Sequence, residues 1–244
     1  MDKQDVLKQC KIDGMIVRLP NIQLDRDLYM QVAKDLNLIG GKWERKSKGF
    51  VFLEDPKELL SQIVSGEKRN LKKEFQFFAT PSVVADRLVE LADIHDDNTI
   101  LEPSAGQGAI INAINNKHPD KIVDCFELMP VNRTILEKMA TANIIGSDFL
   151  LETCPNKYDR IIANPPFAKN ADINHILKMW ECLNNSGKIV TIASKHWKHC
   201  NNKKETAFRE WLAGKCVHEH EIKDGAFKES GTMISAVILV ICKN

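Results

Sequence analysis

Long apolar runs are missing from this 244-residue sequence. No stretch approaches the roughly 18 consecutive apolar residues of a membrane-spanning helix, so no span is expected. Paired cysteines are missing too. Seven cysteines lie far apart with no Cys-x-x-Cys, which fits free thiols in a reducing cytoplasm better than a disulfide framework. Charge of one sign is not in excess: Lys and Arg number 34, Asp and Glu 33, for a formal net charge of +1. That excludes the strongly basic profile of a histone-like binder. It does not exclude nucleic acid as a partner, because binding needs a local basic surface rather than a basic average. There is no internal repeat and no low-complexity tract. The opening residues, Met1-Asp2-Lys3-Gln4-Asp5, do not have the form of a signal peptide. What is present is 43% hydrophobic and 27% charged residue content, too apolar and too balanced for a disordered chain. The length suits one medium domain, alone or with a small appendage, and a core that needs no staples.

The clearest composition shift is the polar run from Glu67 to Glu74, which reads as a linker or exposed helix end. Up to Glu74 the chain carries 15 basic and 12 acidic residues; from Phe75 onward it carries 19 and 21. The small positive excess therefore sits in residues 1–74, a small α+β appendage. Leu28, Val32 and Leu36 at helical spacing predict a helix over 25–36. Gly40-Gly41 breaks it, and 42–53 reads as a hairpin around a Lys-Ser-Lys-Gly turn. Pro56 suits the first turn of a short helix to Val64.

From Thr80 short apolar strands alternate with amphipathic helices. Strands are expected at 99–102, 121–127, 144–147, 159–164, 188–193, 217–222 and 233–242. Helices are expected at 83–92, 109–116, 131–140, 173–183 and 205–212. This pattern predicts an α/β fold with a mostly parallel seven-stranded sheet covered on both faces. Only a loop separates the last two strands, so they should pair antiparallel.

The first chemical signal is Ile100-Leu101-Glu102-Pro103-Ser104-Ala105-Gly106-Gln107-Gly108-Ala109, a strand, a glycine loop and a helix start. Gly106 and Gly108 permit close backbone approach to a ligand at a strand end. A dinucleotide fingerprint needs a glycine at position 111, where Ile111 stands, and no Gly-Lys-Ser/Thr follows. Glu102 beside the loop would repel a pyrophosphate but attract an ammonium group. That favours a nucleoside carrying an amino acid over NAD. Glu127, ending the next strand, can accept both ribose hydroxyls. Asp148, after the third, can accept from an exocyclic amine. A Gly-x-Gly loop alone is also an ordinary tight turn; three acidic residues on three successive strand ends are not.

The second signal is Asn164-Pro165-Pro166-Phe167, closing the fourth strand. Two prolines remove two N–H donors. The Asn164 side-chain oxygen and the Pro165 carbonyl remain as acceptors, and Phe167 adds a flat apolar face. Such a site suits a planar base bearing an NH2 group. Two acceptors can hold its two hydrogens and draw the nitrogen toward tetrahedral geometry, freeing its lone pair, while the ring stacks.

With these elements in place, the sequence resembles the S-adenosylmethionine-dependent DNA adenine-N6 methyltransferases. The resemblance rests on Phe78-Ala79-Thr80-Pro81, the Glu102–Gly108 loop, Glu127, Asp148-Phe149 and Asn164-Pro165-Pro166-Phe167, in the order of the γ group. It covers about residues 77–244 and implies a Rossmann-like methyltransferase fold. It further implies that Phe78, Thr80, Glu102 and Gly106 line the methionine end of the cofactor S-adenosyl-L-methionine, with Ser104, Ala105 and Gly108 also binding the cofactor. Glu127 would take the ribose, Leu128 and Met129 would flank the adenine, and Asp148 and Phe149 would hold it. Asn164, Pro165, Pro166 and Phe167 would hold the target base. The segment 227–232 looks like the family's late strand–turn–strand element, which makes Phe227 a second stacking candidate. By the same resemblance, no metal and no covalent intermediate are needed: nitrogen, methyl carbon and sulfur are aligned for in-line displacement. A duplex substrate would have its adenine extruded.

Two basic clusters interleaved with aromatics suggest where nucleic acid, DNA above all, would lie. Lys42, Arg45, Lys46 and Lys48 crowd the hairpin with Trp43 and Phe50. Lys195, Lys198, Lys203 and Lys204 follow the fifth strand with Trp197 among them. Lys195, Trp197 and Lys198 are thus substrate-binding candidates. His196, His199, Cys200, Cys216, His218 and His220 are the residues from which a zinc site would be drawn; their spacing fits no common finger, and no metal is expected. The sequence-specific family members often carry a large recognition domain, for which this chain offers only its first 75 or so residues and the loop after Ala193. Short or relaxed sequence specificity is the expectation, with a monomer as the default state. Two other readings stay open: the same chemistry on RNA or on a protein glutamine amide, and a non-catalytic nucleic-acid-binding subunit that keeps the fold.

Overall fold

The computed structural model describes residues 1–52, 55–65, 79–222 and 235–243. Phe78, Phe227, the 227–232 segment and the polar 67–74 run lie outside them. The chain divides into two compact units, Met1–Gln76 and Phe77–Asn244.

In the first unit, α1 (Lys3–Lys8), β1 (Lys11–Asp13), β2 (Ile16–Arg18), α2 (Arg26–Leu38), β3 (Lys42–Glu44), β4 (Gly49–Val51) and α3 (Lys57–Val64) follow in order. The four strands form an antiparallel sheet ordered β1-β2-β4-β3. Asp25 caps α2, its carboxylate accepting from the Leu28 N–H at 2.8 Å, which satisfies one orphan donor of the first turn. The expected apolar face of α2 is there: Val32 and Leu36 are buried with Val17, Phe50 and Phe52. The expected hairpin at 42–53 is β3 and β4. The elements α1, β1 and β2 escape periodicity because three-residue strands are shorter than any window that could reveal them.

The second unit contains α4 (Ser82–Ala92), β5 (Ile100–Glu102), α5 (Ala109–Lys117), β6 (Val123–Phe126), α6 (Pro130–Leu136), β7 (Ala142–Gly146) and β8 (Tyr158–Ala163). After a short 3-10 turn come α7 (Ala171–Glu181), β9 (Leu183–Ser194), α8 (His196–His199), α9 (Lys203–Ala213), β10 (Cys216–Glu221) and β11 (Ala236–Cys242). They build a seven-stranded sheet ordered β10-β11-β9-β8-β5-β6-β7. The pairs from β9 through β7 are parallel. The final strand, β11, runs antiparallel to both β9 and β10.

Burial explains the alternation of apolar runs. Along β11, Ile238 and Val240 join a core with α4 and α5, while Val237, Leu239 and Ile241 join a second core with α7 and α9. Both faces are covered, so the strand reads as continuously apolar. Each such side chain contributes about 1.5–3 kcal/mol by leaving water. By contrast β10 carries His218, Glu219, His220 and Glu221 along a largely exposed edge, and charge there discourages pairing with another sheet.

Candidate active site

Parallel strands deliver their C-terminal ends to one edge of the sheet, the edge where ligands bind in folds of this kind. Glu102 ends β5, Glu127 follows β6, Asp148 stands two residues past β7, and Asn164 follows β8.

The glycine loop is built for close approach. Gly106 and Gly108 have φ of 56° and 78°, the left-handed region that an L side chain enters only with strain. A Cβ on Gly108 would also lie 2.6 Å from Met139 Sδ. The loop is stitched to its neighbour: the Ala105 N–H donates to the Phe126 carbonyl at 3.0 Å, and the Gly106 N–H to Glu127 Oε2 at 2.6 Å.

Two carboxylates are buried here. Glu127 is held by the Met129 N–H at 2.8 Å and the Asn132 amide at 3.2 Å, both on Oε1. Burial raises its pKa, and these donors with Gly106 oppose the rise. Glu102 is 1% exposed. Burial and the nearby Glu127 charge push its carboxyl well above the usual range, against the lowering effect of the Ile111 N–H. Its Oε2 has no hydrogen-bond partner among the described residues. A buried acceptor without a donor is costly, and two adjacent carboxylates repel. A cationic ligand would relieve both. The donor set therefore fits the ammonium and sulfonium charges of S-adenosylmethionine, with Glu127 suited to hydroxyls.

Asp148 caps its own turn, its Oδ1 accepting from the Leu150 N–H at 2.9 Å. Glu152 holds that turn from behind, its Oε1 accepting from the Ser147 and Asp148 N–H groups at 2.7 Å each. Neither Glu152 nor Asn132 was a sequence candidate. The signal for Glu152 is the acidic residue four positions after Asp148 in a turn; Asn132 offered none.

Asn164 is tied to the glycine loop: Ser104 Oγ donates to its backbone carbonyl at 3.3 Å. Its side-chain amide donates to Thr80 Oγ1 at 3.0 Å. Thr80, expected at the methionine end of the cofactor, thus also orients the Asn164 amide. Just after the tetrapeptide, Lys169 and Asn170 both adopt left-handed φ of 55° and 59°, so the chain enters α7 through a left-handed turn.

The aromatic candidates divide. Trp43 is 48% exposed and meets the buried Phe50 edge-on at 5.3 Å. Leu128 is 49% exposed, whereas Met129 is buried. Phe149 packs edge-on against Phe126 at 5.3 Å, and Phe167 lies in the core shared with α4 and α5. Neither presents an open ring face. Trp197 is a correction to the expected stacking platform: it is 6% exposed and packs edge-on against Phe208 at 5.4 Å. Helix α8 turns the indole inward, onto the second core beside Phe208. Around it, Lys195 pairs with Glu221 and Lys198 with Glu219, so part of that cluster's charge is compensated. In the hairpin, Lys42, Arg45, Lys46 and Lys48 are all exposed. Of the residues considered for zinc, only His196 and Cys200 come together in a cluster of three possible ligands among the described residues, with Glu205 as the third.

The fold and this edge define an S-adenosylmethionine-dependent methyltransferase of Rossmann-like class. The match of residues 83–213, just over half the chain, to the methyltransferase small domain family shows that the chain belongs to that family. Among proteins of known identity, it is 32% identical over 128 residues to the type II methyltransferase M.AccI of Acinetobacter calcoaceticus, covering 48% of this chain and 23% of that one. It is also 32% identical over 88 residues to the tRNA1(Val) (adenine(37)-N6)-methyltransferase of Aliivibrio fischeri, covering 33% of this chain and 38% of that one. The chain thus spans less than two fifths of either relative's length. Among solved structures, a Listeria monocytogenes protein provisionally assigned as a class I S-adenosylmethionine-dependent methyltransferase superposes with a TM-score of 0.58 at 12% identity, covering 77% of this chain and 67% of that one. No helix among the described residues is long and apolar enough to cross a membrane.

Proposed function

We propose that the chain transfers the methyl group of S-adenosylmethionine to the exocyclic N6 amine of adenine in DNA. The observation that carries this reading is the juncture of the two motifs. Asn164, which opens the acceptor tetrapeptide, bonds through Ser104 to the loop that starts at the buried, cation-seeking Glu102.

In this reading Glu102, Ser104, Ala105, Gly106 and Gly108 line the methionine end of the cofactor with Thr80. Glu127 receives the ribose hydroxyls, Leu128 lies against the adenine, and Asp148 accepts from its amine. The cofactor supplies an already activated methyl group. The protein's task is to orient and polarise. The Asn164 Oδ1 and the Pro165 carbonyl accept the two amine hydrogens, which raises the nucleophilicity of the nitrogen. Thr80 fixes the Asn164 amide so that its oxygen keeps that direction. Pro166 holds the backbone, and Phe167 stacks on a flipped base after its ring turns out of the core. The exposed Lys42, Arg45, Lys46 and Lys48 contact phosphates, as do Lys195 and Lys198 when their acidic partners yield. Short or relaxed sequence specificity belongs to the same reading.

A second reading, adenine N6 methylation of RNA, is favoured by one observation: the tRNA relative matches at the same 32% identity as the type II methyltransferase. Expression in a host without adenine methylation, followed by nucleoside mass spectrometry, separates the two. N6-methyldeoxyadenosine that disappears with Asn164→Ala supports DNA. N6-methyladenosine in RNA alone supports the second reading. Binding without methylation of either points to a non-catalytic subunit.

A further inference from the structure

A cluster outside the methyltransferase pocket has the chemistry of a metal site. His196 opens the short helix α8, and Cys200 follows it four residues later. The spacing of one helical turn puts imidazole and thiol on one side. Glu205 sits in the first turn of α9 and points back toward them. Each of the three offers one ligand atom, all within 4.8 Å of one another.

The three side chains are close enough to converge on a single ion. His196 Nε2 lies 3.1 Å from Cys200 Sγ and 3.5 Å from Glu205 Oε1. Bond lengths of about 2.0–2.3 Å at a tetrahedral zinc put neighbouring ligand atoms roughly 3.3–3.8 Å apart; the His196–Glu205 pair lies in that range, and the His196–Cys200 pair, now at hydrogen-bond distance, would open slightly around an ion.

Glu205 supplies the independent observation. Its side chain is 1% exposed. Oε1 is held by the Asn170 amide at 2.8 Å and by the Asn202 amide at 3.4 Å. Oε2 is buried without a hydrogen-bond partner among the described residues. Burying a carboxylate with one oxygen unanswered is costly, and its ion-pair partner among the described residues is His196, at 3.5 Å. The surrounding backbone is braced: the Arg209 guanidinium donates to the carbonyls of Trp197 and Cys200 at 2.5 Å each. Such bracing holds ligands in place without occupying them.

We propose that His196, Cys200 and Glu205 bind one divalent ion of borderline softness, with zinc the best match to a nitrogen, sulfur and oxygen donor set. A thiolate and a carboxylate neutralise its two positive charges, and solvent at the half-exposed imidazole provides the fourth ligand. The ion ties α8 to α9. It thereby fixes the segment that carries Lys195 and Lys198, immediately after β9.

The test uses the full chain, stripped with a chelator and titrated with Zn2+ against a chromophoric competitor, then with Co2+ as a spectroscopic probe. The expected result is one tight equivalent, a thiolate-to-cobalt charge-transfer band, and a melting temperature raised by Zn2+. His196→Ala and Cys200→Ala alter exposed or half-buried side chains, so both should fold, as circular dichroism checks. Each should weaken zinc binding by at least about tenfold, the lower end of what even an outer-shell partner contributes, and the cobalt thiolate band should vanish in Cys200→Ala. Absence of a tight equivalent in the unmodified chain overturns the proposal. So does binding unchanged in both variants, or binding lost with Cys216→Ala instead. Because the readout is metal affinity, the outcome is independent of which substrate is methylated.

Discussion

At the scale of single residues, the site works through the placing of a few side-chain oxygens. On the proposed reading, Asn164→Ala removes the side-chain acceptor for the amine. Methylation should fall about 10²–10³-fold, while cofactor affinity measured by calorimetry stays within about twofold, since the loop from Glu102 to Gly108 is untouched. Glu102 makes a pH prediction. Its folded-state pKa is raised, chiefly by burial and then by Glu127. A raised pKa means that stability is fully present below the unfolded value and is lost as pH rises through the folded one. The ligand-free protein should therefore lose stability between those limits. Glu102→Gln should flatten that dependence. At high pH the variant should be the more stable, by about 1.4 kcal/mol for every tenfold by which folding strengthens proton binding at this carboxyl. The same change should weaken cofactor binding, because the charge that attracts the ammonium is gone. Thermal unfolding across pH and a binding titration check the two halves. Trp197 belongs at this scale as well. Buried against Phe208, it should cost about 3–5 kcal/mol when truncated to alanine. A folded Trp197→Ala variant of unchanged melting temperature that had lost only nucleic-acid affinity would contradict its place in the core.

At the scale of elements, the strand ends were legible because their signals are local. The alternation of short apolar runs with amphipathic helices gives the parallel sheet, and the acidic residues at three strand ends gather along one of its edges. The antiparallel pairing of β10 with β11 follows from connection length alone. What was not legible depends on tertiary choice. Helix α6 stops at Leu136 rather than near Ala140, and β9 begins at Leu183, where it pairs with Tyr158, rather than at Lys188. Nothing local reveals a cross-strand partner. An indole among lysines reads as a stacking face until Phe208 claims it. The meeting of His196, Cys200 and Glu205 crosses from one helix to the next, so no finger-like spacing announces it. The glycine loop yields a test of its own. Gly108→Ala meets both a positive φ and Met139 Sδ at 2.6 Å, so it should destabilise by about 1–2 kcal/mol or more. Thermal unfolding checks it, with Ala109→Gly on the adjacent helix turn as a control for propensity alone.

At the scale of the whole molecule, a near-neutral chain conceals separated charges. Buried acids gather at one sheet edge, while the exposed lysines and arginine of the β3–β4 hairpin stay in solvent. If those residues meet phosphates, binding should fall with salt. Lys46→Ala should reduce the slope of log affinity against log salt by about one, which fluorescence anisotropy can follow. On the proposed reading, this surface rather than the pocket would decide between DNA and RNA, since the pocket would need only a flipped adenine. The most direct measurement supplies the purified chain with methyl-tritiated S-adenosylmethionine and, in separate reactions, adenine-methylation-free duplex DNA and unmodified tRNA. Label in the DNA, released on digestion as N6-methyldeoxyadenosine and absent with Asn164→Ala, is the predicted result. Label confined to tRNA, or label in DNA that persists in the Asn164→Ala variant, would contradict the account.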